Sequence, residues 1–497
     1  MRPCLALFLF FFVVRTASAQ TPTAAPSFAL AHFAVTTKSA EAQHAFDEGL
    51  TLLYAFNPDE ARRRFQHAGA LDPSCAMAHW GIAMSWGVNV NSDFDPVDQR
   101  NGRAAIAQAV TLMKQATSLE RALIGAASER FAFDRQGDAA RSATAYRDTM
   151  SAVARAFPDG DDVQALAAEA AMDVTPWAFW TNDGKPAAAT PGIVARLEDV
   201  LARDPGNIGA NHFLIHALEQ SPHPEGAQAA ADRLAAMHFE PAAEHLTHMP
   251  AHIYMHVGEY HAAGEVNVRA LDMFDAYLDS DHATGHEGYR SHDCTFAVEA
   301  FMMSGEHDAA ERSAARCARS ATLKAYVAVR FRRWADLSAI GSEQHFAHGM
   351  AAAVAGRAAD AEGDAHALEA SKGAVAQISA LLIRAKLAAS RGERDAEIAA
   401  LRRAVEIQDR EGYSEPPAFF FPVRESLGGA LLRAGRFDEA ARAFSADLAR
   451  NPKNPRSLFG SAACLRSQGL DAEAAAAQQA FTTAWRYADS PLDIKEL

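Results

Sequence analysis

The sequence predicts an all-α protein built as an α-solenoid, a row of antiparallel helix hairpins stacked along one axis. Alanine is very frequent among the 497 residues and valine and isoleucine are sparse, a balance that favours helix over strand. A 34-residue pattern of small and aromatic residues recurs along the chain. No stretch shows the sustained alternation of apolar and polar residues that is typical of a strand. We therefore expect one continuous helical array rather than separate domains.

The repeat is clearest in the segment FDEGLTLLYAFNPDEARRRFQHAGALDP, which ends at Pro73. The residues at positions 8, 20, 24, 27 and 32 of the 34-residue frame are Gly49, Ala61, Phe65, Ala68 and Pro73. Small residues let two helices approach closely, the aromatic ring fills the gap between them, and the proline ends the second helix. This pattern predicts a helix hairpin.

Further copies of the hairpin follow along the chain. Near the C-terminus, positions 7, 8, 20, 24 and 32 are occupied by Leu427, Gly428, Ala440, Phe444 and Pro452. Hairpin turns are marked by the pairs Gly258 and Ala263, Gly305 and Ala310, Gly356 and Ala361, and Gly469 and Ala474. Recurrence at this many places is a strong signal, whereas one match would be weak.

These positions resemble the tetratricopeptide repeat family from about residue 38 to about residue 485. The resemblance implies a right-handed superhelix of helix hairpins with a concave inner face. The segments YAFNPDEA (54–61), NHFLIHALEQ (211–220) and HMPAHIY (248–254) are similar to a group of secreted bacterial tetratricopeptide proteins with HxxxH motifs. That similarity implies neither a substrate nor a reaction.

Insertions and composition divide the chain into seven predicted segments. They are a signal peptide (1–19), a linker (20–37), N-terminal repeat-like helices (38–175), an insertion loop (176–192), central histidine-rich repeats (193–310), further repeat-like helices (311–410) and C-terminal repeats (411–497). Other insertions interrupt the frame at 89–98 and 279–288. Long loops on one face of a solenoid often carry its function.

The N-terminus has the order of features that defines a secretory signal peptide. Arg2 precedes an apolar run from Cys4 to Val14, and the small residues of Ala17-Ser-Ala19 form a cleavage site. The apolar run is too short for a stable membrane span, although an uncleaved anchor is the alternative. We therefore expect a periplasmic or secreted protein.

Charge and cysteine content limit the function classes further. Lys and Arg number 47 against 62 Asp and Glu, and the formal net charge of −15 argues against nucleic acid as a partner. Beyond the signal peptide the cysteines are Cys75, Cys294, Cys317 and Cys464. A bridge between Cys294 and Cys317 across one helix hairpin and a set of buried free thiols are equally compatible with this spacing.

Histidines are concentrated in the central repeats, where nine of the 20 lie between residues 212 and 261. In the repeat frame, His245, His248, His252 and His256 occupy positions 2, 5, 9 and 13 of one first helix. At 100° per residue they span about 80° and form one stripe on that helix. His212 and His216 hold positions 5 and 9 of the preceding repeat. In tetratricopeptide arrays, positions of this kind line the concave groove.

This arrangement predicts a transition-metal site, with zinc or copper as the metal. An HxxxH unit on a helix face can aim two imidazoles at one ion, and two such units on adjacent helices supply four nitrogens. The predicted ligands are His212, His216, His248 and His252. The predicted groove extends to His245, His256, His292, Glu219 and Glu299. Of these, Glu219 and Glu299 are candidates for outer carboxylates or a general base.

Two other interpretations stay open for the histidine stripe. A metal-free scaffold would grip an extended peptide, a protein partner or a small molecule in the groove. Alternatively, the histidines are ordinary hydrogen-bonded side chains, and the protein is an assembly factor that oligomerises through its outer face. Whether the protein is an enzyme is not decided by the sequence, which lacks the HExxH signature of a zinc protease.

Some features of the loops and motifs qualify these predictions. The loop NVNSDFD (89–95) alternates Asn and Asp and weakly suggests a calcium site. In EGYSEPPAFFFPVR, Glu415 and Arg424 are placed either to form an ion pair or to reach inward, and of the two we expect the structural ion pair. Compared with the bacterial group, the chain has Pro58 and Thr295 where that group has histidines, so a second metal site of the group's kind is in doubt.

Overall fold

The structure is a computed structural model that describes residues 27–133, 139–279, 287–339, 344–489 and 491–497. The predicted signal peptide (1–19), part of the linker and most of the 279–288 loop lie outside the described residues. Within those ranges the chain is all-α, and the predicted α-solenoid is confirmed. A single isolated bridge pairs Trp180 with Pro186 there.

The helices follow one another as hairpins from the N-terminus to the C-terminus. The first block contains α1 (Ala40–Tyr54), α2 (Pro58–Leu71), α3 (Ala76–Met84), α4 (Pro96–Leu112), α5 (Ser118–Arg130), α6 (Ala139–Ala156) and α7 (Asp161–Met172). The central block contains α8 (Thr190–Arg203), α9 (Ile208–Leu218), α10 (Gln228–Ala236), α11 (Glu244–His248), α12 (Pro250–Val257), α13 (Tyr260–Leu278), α14 (Glu287–Ser304) and α15 (His307–Arg316).

The last block contains nine further helices. They are α16 (Ser320–Arg330), α17 (His345–Val354), α18 (Ala358–Glu369), α19 (Ala374–Ser390), α20 (Arg394–Gln408), α21 (Val423–Arg433), α22 (Phe437–Leu448), α23 (Pro455–Ser467) and α24 (Asp471–Ala484). Within the described ranges, none of the helices is both long and apolar enough to cross a bilayer.

At the repeat positions, aromatic rings pack between small residues of adjacent helices, as the 34-residue frame predicts. The ring of Phe65 on α2 packs between Gly49 on α1 and Gly81 on α3. A Cβ atom at Gly49 would lie 2.8 Å from that ring, and one at Gly81 would lie closer still. Phe444 on α22 packs in the same way between Gly428 and Gly460. Glycine is therefore required at these positions because the aromatic ring occupies the space of a side chain.

Repeats that are distant in the sequence also pack against each other. The Tyr54 hydroxyl donates to Asp162 at 2.8 Å, and the Asn57 side-chain amide donates to the carbonyl of Ala242 at 2.8 Å. From the other side, the Tyr260 hydroxyl donates to the carbonyl of Pro452 at 2.8 Å. A simple solenoid has contacts only between neighbouring repeats. Here the first and last blocks cover the central block, and its histidine-bearing helices become buried.

The cysteines fall into one bridged pair and two free thiols. Cys294 on α14 forms a disulfide with Cys317, which follows α15, across a sequence separation of 23 residues. Cys75 and Cys464 are buried and free. Of the two arrangements compatible with the sequence, the structure therefore has the bridge across one helix hairpin.

Candidate metal centre

Helix α9 places His212 and His216 on a fully buried segment. The helix begins after Asn207, whose side-chain oxygen accepts a hydrogen bond from the backbone of Ala210 at 2.8 Å. An Asn in this position satisfies an otherwise unpaired amide of the first turn. Every residue of α9 is buried because helices of the first and central blocks pack on it. Its histidines are therefore held in fixed positions.

The predicted stripe of four histidines lies on α11 and α12, which meet at Pro250. Proline cannot donate to the carbonyl four residues earlier, so the helix is interrupted there. The amide of Met249 still donates to His245 at 3.0 Å, and the chain keeps its direction across the break. As a result His245 and His248 on α11 and His252 on α12 remain buried together.

Six histidines form two groups of three. In the first histidine group, His212, His216 and His245 have ring centroids 4.8, 5.0 and 6.1 Å apart. In the second histidine group, the Nε2 atom of His248 lies 2.9 Å from Nε2 of His252 and 3.1 Å from Nε2 of His292. Within each group, the nitrogens that can bind a metal all lie within 4.8 Å of one another.

The two groups divide the predicted ligand set. His212 and His216 belong to the first group, and His248 and His252 to the second, so these four do not form a single cluster. Each pair gains a third member that the sequence assigns only to the wider groove: His245 in the first group and His292 in the second. The groups remain adjacent, since the rings of His245 and His248 have centroids 5.9 Å apart.

Oxygen atoms around the groups fix the orientation of the imidazoles. Nδ1 of His212 lies 2.6 Å from the backbone carbonyl of Tyr54, and Nδ1 of His248 lies 2.6 Å from the side-chain oxygen of Asn267. A carbonyl oxygen can only accept, so Nδ1 carries the proton in both rings. The lone pair of each ring is then on Nε2, which faces the other members of its group.

Glu219 connects the two groups. Its carboxylate lies 2.9 Å from Nδ1 of His216 and 2.8 Å from Nδ1 of His252. Burial would raise the pKa of Glu219, but His252 and His216 outweigh that effect and hold the pKa below its usual range. The carboxyl of Glu219 is therefore ionised and lies between the two groups.

Most of the imidazoles are electrically neutral. Burial lowers the pKa of His212, His245 and His248 well below its ordinary value, and neighbouring histidines add to the effect. Burial and His252 lower the pKa of His292 to about 4. His252 differs: burial opposes its charge, but Glu219 and Glu415 raise its pKa to about 10. Neutral imidazole is the form that binds a metal.

Several ring nitrogens of the first group are buried without a partner. Among the residues that the structure describes, Nε2 of His212, Nε2 of His216 and both nitrogens of His245 have no hydrogen-bond partner. Leaving such a group unpaired costs about 1–3 kcal/mol. A metal ion bound by these three rings would satisfy three of the four nitrogens. The residues present therefore fit a metal ion.

Phe56 packs against all three rings of the first group, and sequence reasoning missed it. Its ring centroid lies 4.6 Å from that of His212, 5.7 Å from that of His216 and 5.6 Å from that of His245. Phe56 has a φ of 54°, a conformation that bulky residues rarely adopt, in the turn between α1 and α2. The turn thus aims an aromatic ring at histidines more than 150 residues later in the sequence.

A cavity of about 800 Å³ opens onto both groups and is lined by His216, His245, His252 and His292. Three loops contribute to its walls: the 89–95 segment, Trp177 from the second insertion, and residues 413–415. Two of these loops, the 89–95 segment and the loop of Trp177, belong to predicted insertions. Most of the remaining insertion, 279–288, lies outside the described residues.

Other predicted groove residues lie around the groups rather than within them. His256 contacts the carboxylate of Glu415, and Glu415 also contacts His252. The predicted ion pair between Glu415 and Arg424 is therefore wrong: Arg424 pairs with Asp409 at 2.5 Å, because Glu415 is drawn inward by the two histidines. Glu299 is buried but lines a second cavity of about 230 Å³.

Two further predictions concern residues near the cavity. In the loop suggested as a calcium site, the Asn89 side chain accepts from the backbone of Asn91 at 2.8 Å, and Asp95 caps the start of α4. These side chains shape a turn and a helix end. The hydroxyl of Thr295, which stands where the resemblance predicts a histidine, donates to the carbonyl of Ser291 at 2.7 Å.

Comparisons with known proteins concern the repeat architecture. Residues 426–489 match the model of a tetratricopeptide repeat family. No curated protein matches the chain. Among solved structures, the human IFIT1 dimer with PPP-AAAA is 15% identical, with 89% of this chain and 91% of that chain covered and a TM-score of 0.32. Yeast Tom70 is 10% identical, with 90% and 92% covered and a TM-score of 0.28.

The family match coincides with hairpins that the structure describes. Residues 426–489 contain most of α21 and all of α22, α23 and α24, in which Phe444 packs between Gly428 and Gly460. The same packing of an aromatic ring between two glycines occurs at Phe65 in the first hairpins. Residues 426–489 are thus tetratricopeptide repeats, and the first hairpins share their packing.

Proposed function

We propose that this protein is an exported tetratricopeptide solenoid whose histidine groups bind transition-metal ions, zinc or copper, at the floor of its cavity. The observation that carries the proposal is the second histidine group. Three Nε2 atoms from α11, α12 and α14 meet there. The Nε2 atom of His248 lies 2.9 Å from that of His252 and 3.1 Å from that of His292. A shared ion would account for three imidazole nitrogens turned toward one point, and it would take the place of the proton on Nε2 of His252.

The spacing of these nitrogens suits a metal ion. Zinc and copper bind imidazole nitrogen at about 2.0–2.1 Å, and three ligands of a tetrahedral ion then stand about 3.3 Å from one another. The observed separations are a few tenths of an ångström shorter, a difference that small ring rotations remove. The first histidine group also consists of three buried imidazoles whose nitrogens lie within 4.8 Å of one another, so we propose one ion for each group.

Three protein ligands for each ion leave a coordination position for another molecule. His252 and His292 line the cavity, as do His216 and His245, so this position faces the cavity. Three-ligand sites with an open position are typical of catalytic rather than structural zinc. When bound there, the ion supplies Lewis-acid chemistry to a small ligand or peptide in the cavity. The carboxylate of Glu219 orients His216 and His252 and holds their Nδ1 protons.

Metal stoichiometry tests the proposal. The purified protein is incubated with zinc, dialysed, and analysed for metal content as wild type, His212→Ala and His248→Ala. We expect about two ions per chain in the wild type and about one in each variant. His366→Ala is the matched control, because His366 lies exposed on α18, outside both groups, with its Nδ1 3.1 Å from the carbonyl of Glu362. Substoichiometric zinc that is unchanged in both variants would contradict the proposal.

A metal-free scaffold is the second candidate function, and the size of the cavity favours it. A volume of about 800 Å³ accommodates a peptide segment or a drug-sized molecule without any metal. Tetratricopeptide solenoids offer a concave surface of the kind that such ligands occupy. Ligand binding that is unaffected by chelator and by both histidine variants would favour this scaffold.

Export is proposed on two observations. The N-terminal sequence has the order of a signal peptide, and Cys294 and Cys317 form a disulfide, a bond that persists mainly outside the cytosol. We expect the mature protein to begin at Gln20. N-terminal sequencing of protein recovered from the periplasmic fraction tests this, and an intact Met1 would contradict it.

A further inference from the structure

Apart from the imidazole of His252, the formal charges on the wall of the 800 Å³ cavity are negative in the part of the chain that the structure describes. Five carboxylates line it: Asp59, Asp93, Asp95, Asp98 and Glu415. Neither lysine nor arginine is among the lining residues in the part of the chain that the structure describes. Clefts lined by one sign of charge concentrate the field and attract ligands of the opposite sign.

Three of these carboxylates lack a compensating ion pair. Glu415 contacts His252 and His256, and Asp59 contacts Arg62. By contrast, no ion pair involves Asp93, Asp95 or Asp98 within the described ranges. Burial and the neighbouring charge of Asp95 raise the pKa of Asp98, and the positive charge of Arg62 offsets only part of this effect. A cation placed between these side chains would relieve that repulsion.

The position of the three carboxylates gives the cavity a direction. Asp93 and Asp95 are exposed and Asp98 is half-buried, whereas His216 and His245 are buried. The cavity therefore runs from an acidic mouth, formed by Asp93, Asp95 and Asp98, to a histidine floor.

Aromatic rings also line the cavity. Trp177 is 37% exposed and Tyr413 is 39% exposed, high values for such large side chains. Both line the cavity, and Trp177 also packs edge-on against His216 with centroids 5.4 Å apart. Aromatic faces beside carboxylates are the usual surroundings of bound organic cations, because the ring quadrupole attracts positive charge.

The histidine floor gives a second sign that something binds in this cavity, one that it shares with the proposed metal sites. The buried Nε2 of His216 and both buried nitrogens of His245 line this same cavity and have no hydrogen-bond partner among the described residues. A ligand that reaches the floor therefore meets polar groups that the protein itself leaves unpaired. The acidic mouth is thus one end of a cavity whose other end also requires a partner.

We propose that the cavity binds a small organic cation, a molecule with an ammonium group and an apolar or aromatic body. The cationic end lies among Asp93, Asp95 and Asp98, the body lies against Trp177 and Tyr413, and the opposite end reaches the histidine floor. This inference deepens the proposed function, and only the contact of the ligand with the histidine floor rests on the proposed metal binding. Recognition at the mouth depends on charge alone.

Binding of a matched pair of probes tests the proposal. Tryptamine and indole-3-propionate share the indole ring and a side chain of similar length, but the first is a cation and the second an anion. Isothermal titration is carried out with the full protein, both zinc-loaded and chelator-treated. We expect wild-type protein to bind tryptamine at least about tenfold more tightly than indole-3-propionate, with affinity falling as salt rises.

Variants of the mouth identify the source of the preference. Asp93→Asn combined with Asp98→Asn removes two charges and leaves Asp95, which caps α4, unchanged. We expect tryptamine to bind about tenfold more weakly to this double variant, and the preference over indole-3-propionate to disappear. Asp199→Asn, at an exposed position of α8 outside the cavity, is the matched control and should bind like the wild type. Thermal melts verify that both proteins fold.

The outcomes separate this inference from the proposed function. Equal affinity for the two probes, absence of binding by both, or an undiminished preference in the double variant would overturn the organic-cation proposal even if zinc binds as expected. Conversely, a charge preference that persists in chelator-treated protein and disappears in the double variant supports the acidic mouth even if the zinc stoichiometry contradicts the metal sites.

Discussion

The carboxylate of Glu219 lies 2.8 Å from Nδ1 of His252, and through this contact one side chain joins the two histidine groups. The other oxygen of Glu219 lies 2.9 Å from Nδ1 of His216. A carboxylate that orients two candidate ligands from different groups should influence metal binding at both. It should do so without being a ligand itself.

Glu219→Gln is therefore expected to weaken zinc binding by about 10- to 100-fold, the usual effect of removing an outer carboxylate. The amide keeps the shape of the side chain but loses the charge that holds both Nδ1 protons. Competition with a fluorescent zinc chelator measures the affinities. Glu299→Gln is the control, because Glu299 is also buried but lies outside both groups. Equal affinities in the wild type and Glu219→Gln would refute the connecting function of Glu219.

Replacing Phe56 by alanine tests the turn between α1 and α2. The ring is 4% exposed and packs on the first histidine group, so its removal leaves a cavity. We expect a loss of about 3 kcal/mol in the free energy of unfolding, as for other buried phenylalanines. Urea denaturation provides the measurement. If Phe56 also positions the first group, zinc content should fall from about two ions to about one, with the second group unaffected.

The repeat frame itself is tested at Gly428. A Cβ atom at this position would overlap the ring of Phe444, so Gly428→Ala should destabilise the C-terminal repeats by about 1–3 kcal/mol. Gly363 on α18 is the matched control, because a Cβ atom there would have no neighbouring atom within 4 Å among the described residues. Gly363→Ala should stabilise its helix by about 0.5–1 kcal/mol. Thermal melts of the two variants should therefore shift in opposite directions.

The local part of this architecture can be predicted from sequence because it depends on short spacings. The separation of four residues between His212 and His216 places both on one face of α9, and the repeat frame places α11 and α12 on the neighbouring hairpin. Phe56 and Glu415 could not be placed in the same way. Their contacts with the histidines depend on the first and last blocks folding onto the central one, and a repeat pattern carries no information about that packing.

The division into two groups also required the structure. The frame aligns His212 with His248 and His216 with His252, and this alignment suggests a single site between the two helices. However, α11 and α12 have another neighbour, α14, whose His292 approaches His248 from the opposite side at 3.1 Å. The stripe is therefore shared between two flanking helices. The resemblance, which implies a lost ligand at Thr295, did not reveal that His292 still completes the second group.

The buried carboxyl of Asp447 predicts a dependence of stability on pH. Burial and the charge of Glu425 raise its pKa to about 6 from an unfolded value near 3.8, while Asn451, Asn454 and Ser457 donate hydrogen bonds to it. Because the folded pKa is raised, the contribution of this group is fully present below about pH 4 and is lost as the pH rises through 6. The difference between the folded and unfolded pKa corresponds to about 3 kcal/mol.

Asp447→Asn removes the titrating carboxyl, so a comparison with the wild type isolates its contribution from that of all other titratable groups. The difference in unfolding free energy between the variant and the wild type should increase in favour of the variant by about 3 kcal/mol from pH 4 to pH 7. The prediction concerns how this difference changes with pH and in which direction. Loss of the hydrogen bonds that Asp447 accepts lowers the unfolding free energy of the variant by the same amount at every pH. Urea denaturation at several pH values measures it. Parallel curves for the two proteins would show that Asp447 does not titrate in this range.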